Sequence, residues 1–172
     1  MGYYTAAITK AMALPLKDVE TILYAAPMHD IGKIGIPDRI LLKPGSLDEE
    51  EWDVMKQHAI IGGTILSGSE FYVIQMAEQI ALAHHERWNG TGYPKGLKGS
   101  EIPIWGQISA IADVFDALTS RRPYKKALPV DQSLEILKKS RDTHFNPEVF
   151  KAFFSIIDQI IAIRKKYDDP VS

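Results

Sequence analysis

Histidines and acids recur along this chain at positions that could share one metal centre. Four of the five histidines stand beside or between aspartates in an ordered series. The series consists of His29, Asp30, His58, His84, His85 and Asp113. Imidazole and carboxylate ligands together suit iron, manganese, zinc or nickel, all of which can act on phosphate esters. The series therefore predicts a metal site for phosphoester hydrolysis, in which the Asp30 carboxylate could bridge two ions.

Each of these residues also has an ordinary structural interpretation when it is taken alone. A single histidine at a helix end, such as His58, is more often a cap or a surface residue. The adjacent His84 and His85 point about 100° apart on a regular helix, so they converge only at a distorted helix end. Asp113 lies on a polar helix face and could simply be solvated. The metal hypothesis depends on the joint occurrence of the series, and the remaining histidine, His144, is interpreted as structural or surface.

A lysine follows the first histidine and aspartate within one short segment. The segment reads His-Asp-Ile-Gly-Lys and ends at Lys33. An ammonium group so close to a metal site could neutralise a phosphate oxygen while the metal activates water. The alternative is an exposed lysine in a loop.

A glycine-rich segment follows the histidine pair and ends at Pro103. Its glycines at 90, 92, 96 and 99 permit tight turns with positive φ. Tyr93 and Trp88 offer flat faces on which a nucleobase could stack. The alternative is an ordinary surface loop whose aromatic rings pack on the core.

The elements that must position these residues are predicted to be helices. Apolar periodicity at helical spacing predicts helices over 18–29, 48–67, 70–85, 104–120, 131–140 and 147–166. Residues 31–47 and 86–103 are predicted loops. Asp48 with Glu51, or equally Ser46 with Glu49, is typical of a capping box, and Asn146 caps the last helix. No strand pattern persists, so the predicted fold class is all-α with about six to seven helices.

Composition and charge place the chain among ordinary globular domains. It has 172 residues, 45% of them hydrophobic and 24% charged, enough for one domain with a real core. Twenty basic against 22 acidic residues give a net charge of -2, which does not favour a nucleic-acid polymer or an anionic membrane as partner. The absence of cysteine excludes disulfides and thiolate metal sites. With no transmembrane segment or secretory leader in the sequence, we expect a cytoplasmic protein.

Three motifs in a fixed order make the chain resemble a known family. They are HDIGK at 29–33, HHERWNGTGYPKGLKG at 84–99 and DVFDALTSRRPYKKA at 113–127. Together they resemble the HD-GYP domain, a bacterial branch of the HD phosphohydrolase superfamily. The resemblance runs from about residue 16 to residue 155, with Gly92, Tyr93 and Pro94 as the GYP tripeptide. Asn89 stands where aspartate is the commoner residue.

The resemblance implies an HD-domain helical bundle that hydrolyses cyclic di-GMP to the linear dinucleotide or to GMP. It implies two or three divalent metals, iron or manganese, on the six residues of the series, with Asp30 bridging. Lys33, Arg122 and Lys125 would contact phosphate, and Tyr93 would contact the substrate. The resemblance leaves open protein partners at the GYP loop and a homodimer.

The resemblance also predicts a truncated N-terminal helix. The family carries a further histidine, and in three-metal members a glutamate, on a helix that precedes the HD pair by more residues than this chain provides. Tyr3 to Leu14 is typical of the end of such a helix. We expect one domain over 1–172 with one metal position short of a ligand and with reduced activity. If another residue supplied that ligand, Asp116 would be the first choice.

Two further functions stay open at this point. The chain could be a catalytically incomplete HD-GYP module that regulates or binds partners, because one metal position lacks its ligand. It could also be an HD phosphohydrolase for another nucleotide, although the GYP segment argues against that. A turnover assay with a panel of nucleotides, combined with metal analysis, distinguishes the three.

Overall fold

The computed structural model describes residues 1–120, 127–141 and 143–167, and the regular elements within these ranges are helices joined by loops. The helices are α1 Gly2–Ala11, α2 Leu16–Ala25, α3 Asp38–Leu41, α4 Glu49–Leu66, α5 Tyr72–Ala83, α6 Ile104–Thr119, α7 Val130–Lys139, α8 Pro147–Ser155 and α9 Ile157–Tyr167. Short 3₁₀ turns lie at Ala26–Met28, Ile31–Gly35 and Gly99–Glu101. The described ranges contain no strand. The all-α prediction is confirmed.

The core lies between α1, α2, α5, α6 and α8, which pack against one another. Ile8, Ile22, Ile80, Ile111 and Phe153 come from these five helices, and each is completely buried. Burial of a side chain of this size stabilises the fold by roughly 1.5–3 kcal/mol. The core therefore holds the helices that carry or flank the histidines in a fixed arrangement.

Two helix starts follow the predicted chemistry. At α4 the Asp48 side chain accepts a hydrogen bond from the Glu51 backbone N–H at 2.9 Å, and the Glu51 side chain accepts from the Asp48 N–H at 3.0 Å. The alternative box, Ser46 with Glu49, is not the one that forms. At α8 the Asn146 side chain accepts from two backbone N–H groups, with proline at the first helical position.

The helix count differs from the predicted six to seven, because the described residues contain nine. The predicted last helix breaks at Ile156, where φ is -117° and ψ is 23°, and this separates α8 from α9. The break contains neither glycine nor proline, and the apolar spacing continues across it, so periodicity carries no sign of it. The four-residue α3 lies inside the predicted loop 31–47. No helix in the described ranges is long and apolar enough to cross a membrane.

A close backbone contact joins the HD segment to α4. A Cβ atom on Gly32 would lie 1.9 Å from the carbonyl oxygen of His58 and 2.4 Å from the Gly62 backbone nitrogen. Only a glycine allows this approach, which brings the turn after Asp30 against the helix that carries His58. Gly62 in turn faces Ala81 of α5.

Gly32→Ala is therefore expected to destabilise the protein by about 2 kcal/mol or more, because the clash is with backbone that cannot rotate away. Urea denaturation followed by circular dichroism measures this loss. Gly35→Ala is the matched control: its Cβ would meet only the flexible Ile61 side chain, at 3.0 Å. Equal losses in the two variants would contradict the close contact.

Candidate metal centre

Four of the predicted ligands lie where helices or 3₁₀ turns end or begin. His29 follows the 3₁₀ turn Ala26–Met28, which begins where α2 ends, and Asp30 precedes the next turn. α5 ends at Ala83, so His84 forms its C-cap and His85 lies beyond the regular helix. The two rings can therefore lie together, with centroids 3.9 Å apart, which a regular helix would not allow.

A compact group of ligand atoms forms between these helix ends and α4. One ligand atom from each of Asp30, His58, His84 and His85 lies within 4.8 Å of all the others. The Asp30 Oδ1 atom is 3.3 Å from His58 Nε2 and 3.8 Å from His84 Nε2. The two imidazole Nε2 atoms are 3.5 Å apart. The sequence series thus converges on one pocket.

The second Asp30 oxygen faces His29, whose ring also lies close to Asp113. His29 Nε2 lies 3.2 Å from Asp30 Oδ2 and 3.7 Å from Asp113 Oδ1. Asp30 consequently presents one oxygen to each side, with His58 and His84 beyond Oδ1 and His29 beyond Oδ2. A carboxylate with ligand groups on both sides could bridge two cations.

Backbone carbonyls orient three of the rings. The Nδ1–H group of His29 donates to the Ala26 carbonyl at 2.9 Å, and that of His58 donates to Met55 at 2.7 Å. His84 Nδ1–H donates to the carbonyls of Ile80 and Ala81. A carbonyl can only accept, so each ring keeps a proton on Nδ1 and turns Nε2 into the pocket, where Nε2 has a free lone pair whenever the ring is neutral.

The pocket contains acceptors that face each other without a donor. Asp30 Oδ1 is buried and has no hydrogen-bond partner among the described residues. Its neighbours, the Nε2 atoms of neutral His58 and His84, are themselves acceptors, because both rings hold their proton on Nδ1. Unpaired buried acceptors are costly, and a cation placed among them would remove that cost. This group of ligand atoms therefore fits a divalent metal.

Residues 1–149 match the family model described as HD domain. The chain belongs to the HD domain family. This HD domain is 47% identical over 169 residues to a cyclic di-GMP phosphodiesterase of Thermotoga maritima. The matched segment covers 98% of this chain and 46% of the relative. The HD domain is 42% identical over 169 residues to 3'3'-cGAMP-specific phosphodiesterase 2 of Vibrio cholerae, with coverage of 98% and 32%.

A solved structure supports the fold of the HD domain. An HDG"Y"P protein from Bdellovibrio bacteriovorus superposes with a TM-score of 0.69 at 19% identity, over 91% of this chain and 51% of that one. The predicted resemblance to HD-GYP proteins is confirmed by these comparisons. The chain spans about half the length, or less, of the relatives it matches.

Charge in the HD-domain pocket is divided between the two sides of Asp30. Burial opposes the positive charge of His29, but hydrogen bonds to Asp113 and Asp30 outweigh it and raise the pKa of His29 to about 9. On the other side, burial lowers the pKa of His58, that of His84 to about 4 and that of His85 to about 2. At neutral pH the metal-free pocket holds one imidazolium and three neutral imidazoles.

Of the three predicted phosphate-contacting residues, the structure describes Lys33. The Lys33 ammonium donates to Asp30 Oδ2 at 2.6 Å and remains partly exposed at the edge of the pocket. Arg122 and Lys125 lie outside the described residues, so their predicted role stays a prediction. Asp116 borders a separate cleft with Tyr3 and Arg164, away from the histidine cluster, so the structure does not favour it as a substitute ligand.

Tyr93 forms a wall of the HD-domain pocket. Its ring stacks on His85 with centroids 4.6 Å apart, and Trp52 of α4, which sequence reasoning does not single out, meets it edge-on at 6.0 Å. Burial raises the pKa of Tyr93, so its hydroxyl stays protonated.

Trp88 and Asn89 have structural contacts in the glycine-rich loop. The Trp88 backbone N–H donates to the His144 carbonyl. The Asn89 side chain accepts from the backbone and hydroxyl of Thr91, a local turn contact.

Proposed function

We propose that this HD domain hydrolyses a phosphodiester bond of cyclic di-GMP, to the linear dinucleotide or GMP, with divalent iron or manganese. The observation that carries the proposal is the Asp30 carboxylate, which presents one oxygen to the Nε2 atoms of His58 and His84 and the other to His29 Nε2. The names of the relatives, all cyclic-dinucleotide phosphodiesterases, support the substrate class.

The six residues of the series are proposed as the metal ligands. Asp30, His58, His84 and His85 would hold one position, and His29 and Asp113 would contribute to a second across Asp30. When bound, the metals supply Lewis-acid activation of water and of the phosphoryl oxygens. The low pKa values of His58, His84 and His85 keep these imidazoles neutral and available at physiological pH.

The chain's own cations and aromatic rings would bind the substrate. Lys33 pairs with Asp30 at the pocket edge, from where its flexible stem can carry the ammonium to a phosphate oxygen. Arg122 and Lys125 are proposed to add positive charge that stabilises the developing negative charge on the phosphoryl group. The partly exposed Trp52 and the Tyr93 hydroxyl would contact a base or the sugar.

The test combines metal loading with a substrate panel. The protein is freed of metal by chelation, reloaded anaerobically with Mn²⁺ or Fe²⁺, and incubated with cyclic di-GMP, 3'3'-cGAMP and a linear dinucleotide. We expect products from the cyclic substrates only with metal, and faster from cyclic di-GMP. Faster hydrolysis of 3'3'-cGAMP would overturn the proposed substrate but keep the reaction, whereas metal and cyclic di-GMP binding without any product would establish the incomplete binding module instead.

A further inference from the structure

Glu86 is a buried acid that the metal hypothesis does not use. It follows His85 directly, and its residue is only 2% exposed. Its Oε1 atom accepts a hydrogen bond from the Lys95 backbone N–H at 2.7 Å, and its Oε2 atom accepts from the Leu97 N–H at 3.0 Å. A buried carboxylate is tolerated only when such bonds replace its hydration. Both oxygens therefore bind the segment 95–97, which is the returning limb of the glycine-rich loop.

The loop doubles back closely over its own start. A Cβ atom on Gly92 would lie 2.5 Å from the Glu86 Cα atom and 2.4 Å from the Arg87 nitrogen, so only glycine fits there. The Tyr93 N–H then donates to the His85 carbonyl at 3.2 Å. Glu86 therefore binds the segment that follows Tyr93, and the His85 carbonyl binds the backbone of Tyr93 itself.

The ring of His85 is held differently from the other three imidazoles of the cluster. His29, His58 and His84 each donate Nδ1–H to a backbone carbonyl. Within the described ranges, His85 has no hydrogen bond to its ring. Its ring instead packs between other rings and is stacked by Tyr93 with an interplanar angle of 26°.

We propose that Glu86 is a positioning residue that fixes the orientation of His85 through Tyr93. Glu86 holds the returning limb of the loop through two backbone amides, the limb holds the Tyr93 ring, and the ring supplies the orientation that a carbonyl supplies for the other histidines. The inference rests on the proposed metal-binding role of His85. It does not rest on which nucleotide the protein hydrolyses.

The first measurement follows the loop itself. Glu86→Gln keeps one acceptor oxygen but turns an NH₂ group toward the second amide, so one hydrogen bond is lost. We expect amide hydrogen exchange at Lys95 and Leu97 to accelerate at least about tenfold in the metal-free protein. Glu101→Gln is the matched control, because Glu101 accepts from the Lys98 N–H of the same loop at 2.8 Å but is exposed. The proposal would be overturned if exchange at Lys95 and Leu97 were unchanged in Glu86→Gln, or if Glu101→Gln accelerated exchange at these two amides equally.

The second measurement follows the metal position through a double-mutant cycle. We expect Glu86→Gln and Tyr93→Ala each to weaken Mn²⁺ binding about 10–100-fold, as loss of a group that orients a ligand does. Tyr93→Phe keeps the stacking ring and should keep the affinity. If Glu86 acts through Tyr93, the double variant Glu86→Gln/Tyr93→Ala is no weaker than the weaker single variant. Additive losses would overturn the indirect route.

The outcomes separate this inference from the proposed function. Accelerated exchange and weaker Mn²⁺ binding in Glu86→Gln would support the positioning role even if the parent protein hydrolyses none of the nucleotides. If Glu86→Gln fails to fold, the pair Tyr93→Ala and Tyr93→Phe decides: equal Mn²⁺ affinities would overturn the proposal, and a loss in the alanine variant alone would support it.

Discussion

Asp30→Asn is expected to reduce Mn²⁺ affinity by more than about 100-fold and to bring cyclic di-GMP hydrolysis below detection. The substitution keeps the shape of the side chain but removes the charge shared by both sides of the pocket, and places an NH₂ group beside an imidazole. Residues that merely orient a ligand already cost 10–100-fold when changed, so a ligand that bridges should cost more. Isothermal titration with Mn²⁺ and product analysis by chromatography measure both effects.

Asp53→Asn is the control for this experiment. Asp53 lies on α4, is 65% exposed in its side chain and, among the residues that the structure describes, forms its one ion pair with Lys56. Surface substitutions of this kind usually change stability by less than about 0.5 kcal/mol, and we expect no change in metal affinity. Asp30→Asn with parental Mn²⁺ affinity and full activity would show that Asp30 is a structural partner of His29 and Lys33 and no metal ligand.

The metal-free protein is expected to lose about 3 kcal/mol of stability as the pH rises from about 6.5 to about 9. The pKa of His29 is raised to about 9 in the folded chain, because hydrogen bonds to Asp113 and Asp30 outweigh burial. In this pH window the folded chain keeps a proton that the unfolded chain has released. Stability from the His29 imidazolium is therefore complete below about pH 6.5 and is lost as the pH passes the folded value.

The same rule predicts that stability rises with pH below about pH 6.5. Burial lowers the pKa of His58, His84 and His85, so below about 6.5 the unfolded chain binds more protons than the folded one. Urea denaturation of the chelated protein at a series of pH values should show maximal stability near pH 6.5. His29→Asn should remove the loss at high pH. Stability that stays level or rises up to pH 9 in the parent would mean that His29 is neutral in the folded chain.

Bound metal should remove the loss of stability at high pH, because His29 is then neutral in both the folded and the unfolded chain above about pH 6.5. A ligating imidazole must be neutral, so a cation at the His29 side of Asp30 displaces the proton that His29 holds. We expect Mn²⁺ to stabilise the protein more at pH 8.5 than at pH 6.5, and to release about one proton on binding near pH 7.5. Titration calorimetry in buffers of different ionisation enthalpy measures this release.

Local features of this protein were predictable because their causes are local. The Asn146–Pro147 start depends on groups within three residues of each other, and so does the Asp48–Glu51 capping box, although Ser46 with Glu49 was an equally good alternative in the sequence. Helical periodicity depends on the apolar face alone, which is why the all-α class and most helices follow from it. The break at Ile156 does not, because no residue there marks it. Beyond the break, Ile160 of α9 is buried in the core.

Three motifs in a fixed order were enough for the HD-GYP resemblance. The order of histidines and aspartates along the chain was enough to nominate six candidate metal ligands, because a metal restricts which side chains can bind it. Their convergence was a matter of tertiary packing. The Gly32 backbone must meet α4 before Asp30 can face His58, and α5 must end at Ala83 before His84 and His85 can lie together. The pairing of Lys33 with Asp30 and the burial of Glu86 under the loop arise from the same packing. Distances between side chains far apart in sequence depend on how helices pack, and residue types and spacing alone do not specify that.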